Sequence, residues 1–115
     1  MEPTPQHYYH YTTMASWEAI SREGVIRAGR DGFVYLTPQL YQTAEQAMER
    51  LSIVGKVLKC VVRLDGTIVQ GNPLPTPVKP IVDAVTYRTI REGGGAEIRH
   101  QGDLPLPVRV ALLVR

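Results

Sequence analysis

The chain has 115 residues, enough for one hydrophobic core and too few for two, so we expect one domain over residues 1–115, with residues 1–6 flexible. Hydrophobic residues make up 43% of the sequence and charged residues 21%, a balance that argues against a disordered chain. The formal net charge is only +2 and the 13 basic residues are scattered, which argues against a nucleic-acid interface.

Membrane and export signals are absent from the sequence. No apolar run approaches the roughly 20 residues that a spanning helix needs, and the N-terminus lacks the pattern of a signal peptide. We therefore expect no membrane partner, and a cytoplasmic location either in the producing cell or after delivery into a target cell. The single cysteine, Cys60, lies in the apolar run KVLKCVV and is predicted to be a buried strand thiol, since one cysteine cannot form an internal disulfide.

Polar aromatic residues form the first predicted strand, HYYHYT, at residues 7–12. Because side chains alternate along a strand, Tyr8, His10 and Thr12 are expected on one face and His7, Tyr9 and Tyr11 on the other. The next segment, TTMASWEAISREG, has apolar residues at helical spacing. It predicts a helix that Thr13 or Ser16 caps and Gly24 ends.

The middle of the chain alternates strand and helix signals. VIRAGRDG predicts a short extended piece and a turn, and FVYLT a strand. Thr43 and Gln46 have capping-box spacing, which predicts a second helix through about Leu51. KVLKCVVRL is the longest strand signal, and DGTIV is expected to continue it through a turn at residues 65–66.

The last third is richer in proline and glycine. QGNPLPTPVKP, residues 70–80, is predicted to be a surface loop, because four prolines exclude a helix and an interior strand. IVDAVTYRTIREGGG is ambiguous between strand and short helix. AEIRH predicts a strand, QGDLPLP a turn and VRVALLV a buried terminal strand. Gly93–Gly95 are not followed by the Lys-Ser/Thr of a phosphate loop, so they are interpreted as a flexible approach to Glu97.

Metal and serine chemistry are disfavoured by spacing. The three histidines, His7, His10 and His100, lack the spacing of metal ligands, so no metal is expected. No Gly-x-Ser-x-Gly elbow is present either. The remaining candidates for chemistry are three short motifs: HYT at residues 10–12, VYLT at residues 34–37 and AEI at residues 96–98.

In their order and strand-helix context, these motifs resemble the ADP-ribosyltransferase superfamily. The similarity is to its His-Tyr-Glu/Asp branch, which includes diphtheria-type toxins and poly-ADP-ribose polymerases, and especially to small bacterial toxin domains of the His-Tyr-Asp type. The segments HYT, VYLTPQLYQTAEQA and GAEIRHQGDLPLPVRVALLV stand in the family's order, from about Tyr8 to Val114. The resemblance implies an α+β fold with a split antiparallel β-sheet and two short helices.

The resemblance gives the first motif a role in binding NAD, which is the substrate rather than a resident cofactor. His10 is expected to hydrogen-bond the ribose hydroxyls, and the backbone of Tyr11 to pair with the nicotinamide amide. Thr12 shares the face of His10, so its hydroxyl can brace the pocket. Taken alone, His10 would be interpreted as a hydrogen-bonded strand histidine.

The second motif is expected to supply the aromatic wall. Tyr35 is predicted to stack on nicotinamide, because flat aromatic rings bury a large area at a small entropic cost. A core tyrosine is the alternative. Thr37, which ends this motif, is placed with the NAD-binding residues. Relatives often carry a second aromatic in the following helix, where this chain has none, and Tyr41 is the nearest substitute.

Glu97 in the third motif is the expected catalytic residue. Breaking the nicotinamide–ribose bond creates an oxocarbenium-like cation, which a fixed carboxylate stabilises. A solvent-facing strand glutamate is the alternative, and Asp103 and Asp83 are rival acids. Arginine-directed relatives carry Gln or Glu two residues before the catalytic acid, where this chain has Gly95, so arginine is disfavoured as the acceptor.

The function that the resemblance implies is NAD-dependent ADP-ribosyl transfer to a protein, nucleic acid or small molecule, in a bacterial toxin effector or its catalytic domain. An immunity protein or antitoxin is then an expected partner. Two alternatives stay open: an NAD glycohydrolase that uses water as acceptor, and a catalytically silent module that binds NAD or ADP-ribose. A tRNA 2′-phosphotransferase relative needs several arginines around a phosphate, and the scattered basic residues argue against it.

Overall fold

Two three-stranded antiparallel sheets frame the molecule in the computed structural model, which describes residues 6–69 and 74–115. Apart from Gln6, the N-terminal segment predicted to be flexible lies outside the described residues, as do residues 70–73 of the proline-rich segment. The elements, in chain order, are β1 (His7–Thr12), α1 (Met14–Glu23), β2 (Val25–Ile26), β3 (Phe33–Leu36), α2 (Ala44–Arg50), β4 (Cys60–Asp65), a 3₁₀ helix (Gly66–Ile68), β5 (Thr76–Pro77), β6 (Ile81–Val82), β7 (Thr89–Arg91), β8 (Ala96–Gln101), β9 (Leu104–Pro105) and β10 (Val110–Leu113).

The first sheet has the order β1-β4-β10 and the second β3-β8-β5, and two-stranded pairs form between β2 and β9 and between β6 and β7. One antiparallel bridge joins the two larger sheets. In it the Tyr9 N–H donates to the Thr37 carbonyl (2.8 Å) and the Thr37 N–H donates to the Tyr9 carbonyl (2.9 Å). The predicted α+β class, with mostly antiparallel sheets and two helices, is therefore confirmed.

Both helices begin where the capping residues predict. The Thr13 hydroxyl accepts from the Ser16 N–H (3.2 Å), and Gly24 ends α1 in the left-handed region, with φ of 73°. The Thr43 hydroxyl accepts from the Gln46 N–H (3.1 Å) at the start of α2. No helix within residues 6–69 and 74–115 is long and apolar enough to cross a membrane.

Side chains alternate along β1 as predicted. Tyr8 belongs to an apolar cluster that also contains Ile20 of α1 and Leu36 of β3. Tyr11 belongs to a second cluster, built on Ala47 of α2 and Val61 of β4. The strand therefore separates two apolar layers, with α1 on one and α2 on the other. Cys60 is buried as expected, and burial raises the pKa of its thiol.

Three strand predictions are wrong at their ends. β4 begins at Cys60, so residues 56–59 of the KVLKCVVRL prediction precede the strand. The DGTIV segment turns into the 3₁₀ helix instead of continuing β4, because the Asp65 carboxylate accepts from the Thr67 N–H (2.9 Å) and hydroxyl (2.8 Å). The terminal strand β10 is an edge strand rather than a buried one. It pairs only with β4 among the described strands, and Leu113 is 81% exposed.

The proline-rich segment is not entirely a loop. Thr76–Pro77 form an edge strand in which Thr76 lies opposite Glu97 of β8, a position that proline tolerates because an edge strand leaves some N–H groups unpaired. The ambiguous segment that follows is the β6–β7 hairpin, whose turn is held by Asp83 accepting from the N–H groups of Val85 and Thr86 (both 2.8 Å). The predicted QGDLPLP turn also contains β9.

Gly93–Gly95 are packed closely, so their interpretation as a flexible approach to Glu97 is wrong. The Gly93 N–H donates to the Glu49 carbonyl (2.9 Å) and the Gly95 N–H to the Arg50 carbonyl (3.0 Å), which ties the run to the end of α2. A Cβ at Gly95 would lie 2.5 Å from the Tyr41 hydroxyl and 2.8 Å from the Arg50 oxygen. The glycines allow a close approach of backbones that sets the start of β8.

Candidate functional site

An open cleft of about 610 Å³ lies where the two larger sheets meet. Its lining comes from β1, α1, β2, the connection between β2 and β3, β3 with the adjoining Thr37, the 51–58 segment between α2 and β4, and one residue of β8. The residues predicted from the sequence that line it are His10, Tyr11, Thr12, Tyr35, Thr37 and Glu97. Three motifs, of which the first and last place His10 and Glu97 87 positions apart in the sequence, therefore contribute to one cavity. The cavity is large enough for a small-molecule ligand.

His10 is oriented by a backbone carbonyl. Its Nδ1 lies 2.9 Å from the carbonyl oxygen of Tyr35. Desolvation lowers the pKa of His10, the hydrogen bond to Tyr35 opposes that shift, and the charge of Lys56 lowers it further. The lowered pKa favours the neutral imidazole. Because a carbonyl oxygen only accepts, the single proton is on Nδ1 and Nε2 is an acceptor suited to a hydroxyl group of a ligand.

Tyr11 offers its backbone to the cleft. Its ring packs on Tyr41 (centroids 6.0 Å apart), and its hydroxyl accepts from the Tyr41 N–H (2.6 Å). In an antiparallel ladder, alternate residues direct their N–H and C=O groups to opposite edges. The backbone groups of Tyr9 bind Thr37, away from β4, so those of Tyr11 point to the same edge, where the bridge has ended. An amide donor and an acceptor thus face the cleft.

Thr12 and Thr37 are buried, and their main role is to hold the backbone around the cleft rather than to expose side chains in it. Thr12 is 7% exposed, and its carbonyl accepts from the Lys59 N–H (3.2 Å). Thr37 is 1% exposed; its backbone makes the bridge to Tyr9, and its hydroxyl accepts from the Gln39 N–H (3.2 Å). Thr37 therefore fixes how the two sheets meet at the cleft.

Tyr35 is a rim residue, not the core tyrosine that was the alternative. It is 40% exposed, whereas its neighbours Val34 and Leu36 are each 2% exposed on the opposite face of β3. The Tyr35 hydroxyl donates to the carboxylate of Asp31. That hydrogen bond is the main cause of a raised pKa of Tyr35 and of a lowered pKa of Asp31. Asp31 was not among the residues predicted from the sequence, although its place four residues before Tyr35, at an Asp-Gly turn, was a signal.

Tyr41 is not among the described residues that line the cleft, so the structure does not place it with the NAD-binding candidates. Its ring packs on Tyr11, and its buried hydroxyl finds no hydrogen-bond partner of normal geometry in the described part of the chain. Burial is the main cause of its raised pKa, which the nearby Thr37 hydroxyl opposes. The further aromatic residues that do line the cleft are Tyr9 and Phe33.

Glu97 enters the cleft from β8. Its side chain is half-buried, and burial raises the pKa of its carboxyl while the charge of Arg99 opposes that rise. Within residues 6–69 and 74–115 the carboxylate makes no hydrogen bond or ion pair. Tyr35 lies opposite Arg99 in the β3–β8 register, so Tyr35 and Glu97 share one face of the second sheet.

The rival acids, Asp103 and Asp83, accept hydrogen bonds from backbone N–H groups of connecting segments. Asp103 pairs with Arg27 (3.0 Å) and accepts from the Ala28 N–H (2.8 Å), and Asp83 holds the β6–β7 turn. Neither is among the described residues that line the cleft. Their lowered pKa values follow from these hydrogen bonds, the Ala28 N–H leading for Asp103 and the Thr86 N–H for Asp83. Glu97 is therefore the better placed acid.

Two cations line the cleft that the sequence analysis did not single out. Arg27 is neutralised by Glu23 (3.1 Å) and Asp103 (3.0 Å). Lys56 is exposed, has no ion pair among the described residues, and lies close enough to His10 to affect its pKa. A positive charge beside His10 favours an anionic ligand group there. Among the described residues, no three His, Cys, Asp or Glu side chains are grouped as a metal site would require.

Comparisons with known proteins add no identification: no family model, no curated protein and no solved structure matches this chain.

Proposed function

We propose that the chain is an NAD-dependent ADP-ribosyltransferase that cleaves the nicotinamide–ribose bond in this cleft. The observation that carries the proposal is that His10, Tyr35 and Glu97, from three separate segments, line one cavity. Each has the chemical character that its role needs: a fixed neutral imidazole, an oriented aromatic ring and a half-buried carboxylate. The resemblance to small bacterial toxin domains supports a toxin effector as its setting, with an immunity protein or antitoxin as its partner.

The binding roles follow from the groups that face the cleft. Nε2 of His10 accepts a hydrogen bond from a ribose hydroxyl, and the backbone of Tyr11 pairs with the nicotinamide carboxamide. The ring of Tyr35 stacks on the nicotinamide ring. Lys56 supplies positive charge for the diphosphate.

The chemical step needs a fixed negative charge. The C–N bond between ribose and nicotinamide breaks, its electron pair stays on the nicotinamide nitrogen, and the ribose becomes an oxocarbenium-like cation. The Glu97 carboxylate faces this developing charge and lowers the barrier. The acceptor oxygen or nitrogen then adds to the ribose carbon and loses its proton.

An arginine side chain is disfavoured as the acceptor, because position 95 has no room for the Gln or Glu that the resemblance links to that acceptor. A side chain there would meet the Tyr41 hydroxyl and the Arg50 carbonyl. This packing also favours the second candidate function, NAD hydrolysis, since water needs no acceptor-positioning side chain.

Nicotinamide release from NAD by the purified chain tests the proposal. We expect Glu97→Gln to lower the rate at least about 100-fold, on the order of 3 kcal/mol in the barrier, with NAD still bound. Glu92→Gln is the matched control, because Glu92 is exposed and, among the described residues, is not part of the cleft lining. Its rate should equal that of the wild type. Tight NAD binding without release from the wild type would instead identify a silent binding module.

A further inference from the structure

The ring of Tyr35 is held by a hydrogen bond to Asp31 that has no part in the bond cleavage proposed above. A tyrosine that is 40% exposed on a strand normally retains freedom at its hydroxyl end, and a ligand that stacks on it must restrict that freedom. Here the hydroxyl donates to one carboxylate oxygen of Asp31. The ring therefore has a fixed orientation at the rim of the cleft before any ligand arrives.

Asp31 is itself fixed by the turn between β2 and β3. Its other carboxylate oxygen accepts from the Phe33 N–H (3.1 Å). The turn is closed by hydrogen bonds between Gly29 and Phe33 (3.0 Å) and between Gly32 and Gly29 (2.9 Å). The Gly32 carbonyl also accepts from the Gly102 N–H (2.8 Å), which ties the turn to the connection after β8. Both carboxylate oxygens of Asp31 thus accept hydrogen bonds, one from the Phe33 N–H of the turn and one from the Tyr35 hydroxyl.

The hydrogen bond also changes the ring's electronic character. A phenol that donates to a carboxylate shifts electron density into its ring, which strengthens the negative potential over the ring face. Such a face attracts a cation. We propose that Asp31 is a positioning residue that holds and polarises the ring of Tyr35, so that this rim binds a cationic pyridinium ring in preference to a neutral one.

This inference rests on the proposed function, since it takes the nicotinamide ring of NAD as the ligand of the rim. That ring is positively charged in NAD and neutral once the bond to ribose has broken. The Asp31–Tyr35 pair therefore strengthens the complex with substrate and weakens the complex with released nicotinamide. Because the charge declines towards the transition state, the pair stabilises the bound substrate more than the transition state, so it lowers KM and does not raise kcat.

The test compares two ring probes that need no reaction: 1-methylnicotinamide, which is cationic, and nicotinamide, which is neutral. Dissociation constants are measured for the wild type, Asp31→Asn, Tyr35→Phe and the double variant. We expect the wild type to prefer the cation, and either single change to reduce that preference by about 2- to 5-fold. The double variant should lose no more than either single variant, because both remove one interaction. Asp83→Asn, which alters a turn carboxylate outside the described cleft lining, should keep the preference.

The outcomes separate the inference from the function. If the wild type prefers the cation and Asp31→Asn keeps that preference, the role of Asp31 is overturned while NAD binding stands. If the wild type binds neither probe nor NAD, the proposed function and the ring-binding role both fall. Should Asp31→Asn fail to fold, Tyr35→Phe gives the same comparison. In steady-state assays with NAD, Asp31→Asn should raise KM with kcat equal or higher, because the lost interaction is weaker in the transition state than in the bound substrate. A lower kcat with KM unchanged would contradict the proposal.

Discussion

The two larger sheets meet at one cleft but contribute to it in different ways. The β1-β4-β10 sheet supplies a neutral imidazole and strand backbone, all within its hydrogen-bonded frame. The β3-β8-β5 sheet supplies ionisable side chains on its outer face: the half-buried carboxylate of Glu97 and the phenol of Tyr35 beside Asp31. Under the proposed function, the first sheet contacts the ribose and the nicotinamide amide, and the second sheet contacts the nicotinamide ring and the bond that breaks.

The position of the second sheet depends on the close contact at Gly95, and breaking that contact should have the largest effect on stability. Gly95→Ala places a methyl group against the Tyr41 hydroxyl and the Arg50 carbonyl, so we expect a loss of about 1–3 kcal/mol in the free energy of unfolding. Gly29→Ala is the matched control, since its Cβ would meet no atom closer than 3.4 Å. Denaturant unfolding measures both. Equal midpoints would show that the β8 start tolerates a side chain.

Replacing His10 tests whether the first sheet binds the ribose of NAD. We expect His10→Ala to weaken NAD binding about 10-fold, near 1.4 kcal/mol, because a ribose hydroxyl loses its acceptor. Binding of nicotinamide alone should not change, since His10 is assigned to the ribose. Isothermal titration of both ligands measures this. An equal loss for the two ligands would place His10 against the nicotinamide ring instead.

The smallest expected effect is on thermal stability, which the charged, half-buried carboxylate of Glu97 lowers. Burial raises the pKa of Glu97 in the folded state, so the folded chain favours the protonated carboxyl. The stability that the protonated carboxyl contributes is present below about pH 4 and is lost as the pH rises through the folded-state pKa. Glu97→Gln should therefore raise Tm at pH 7. Because the side chain is only half-buried and solvent screens it, we expect about 3 °C or less.

Calorimetry of the wild type and Glu97→Gln at pH 7 and pH 3 measures this difference, with Glu92→Gln as the control for an exposed glutamate. The gain should be present at pH 7 and absent at pH 3. A variant that is less stable than the wild type at pH 7 would mean that the Glu97 carboxylate has a stabilising partner, and that it is not held for chemistry.

The sequence by itself determined the local elements near the site. The alternation of HYYHYT and the capping threonines Thr13 and Thr43 were predictable, whereas the sequence left open whether Tyr35 lies at a cleft or in the core. Each depends on residues only a few positions apart, and periodicity and capping report such relations directly.

Only the tertiary structure decided which of these residues meet. In the folded chain Tyr41 packs on Tyr11 and is not part of the described cleft lining, and the Tyr35 hydroxyl donates to the Asp31 carboxylate. Thr76 lies opposite Glu97, and Gly95 packs on the end of α2. The exposure of β10 was also set there, because an edge strand with an apolar sequence resembles a buried one. These contacts depend on how separate segments pair across the molecule, and local pattern carries no information about that pairing.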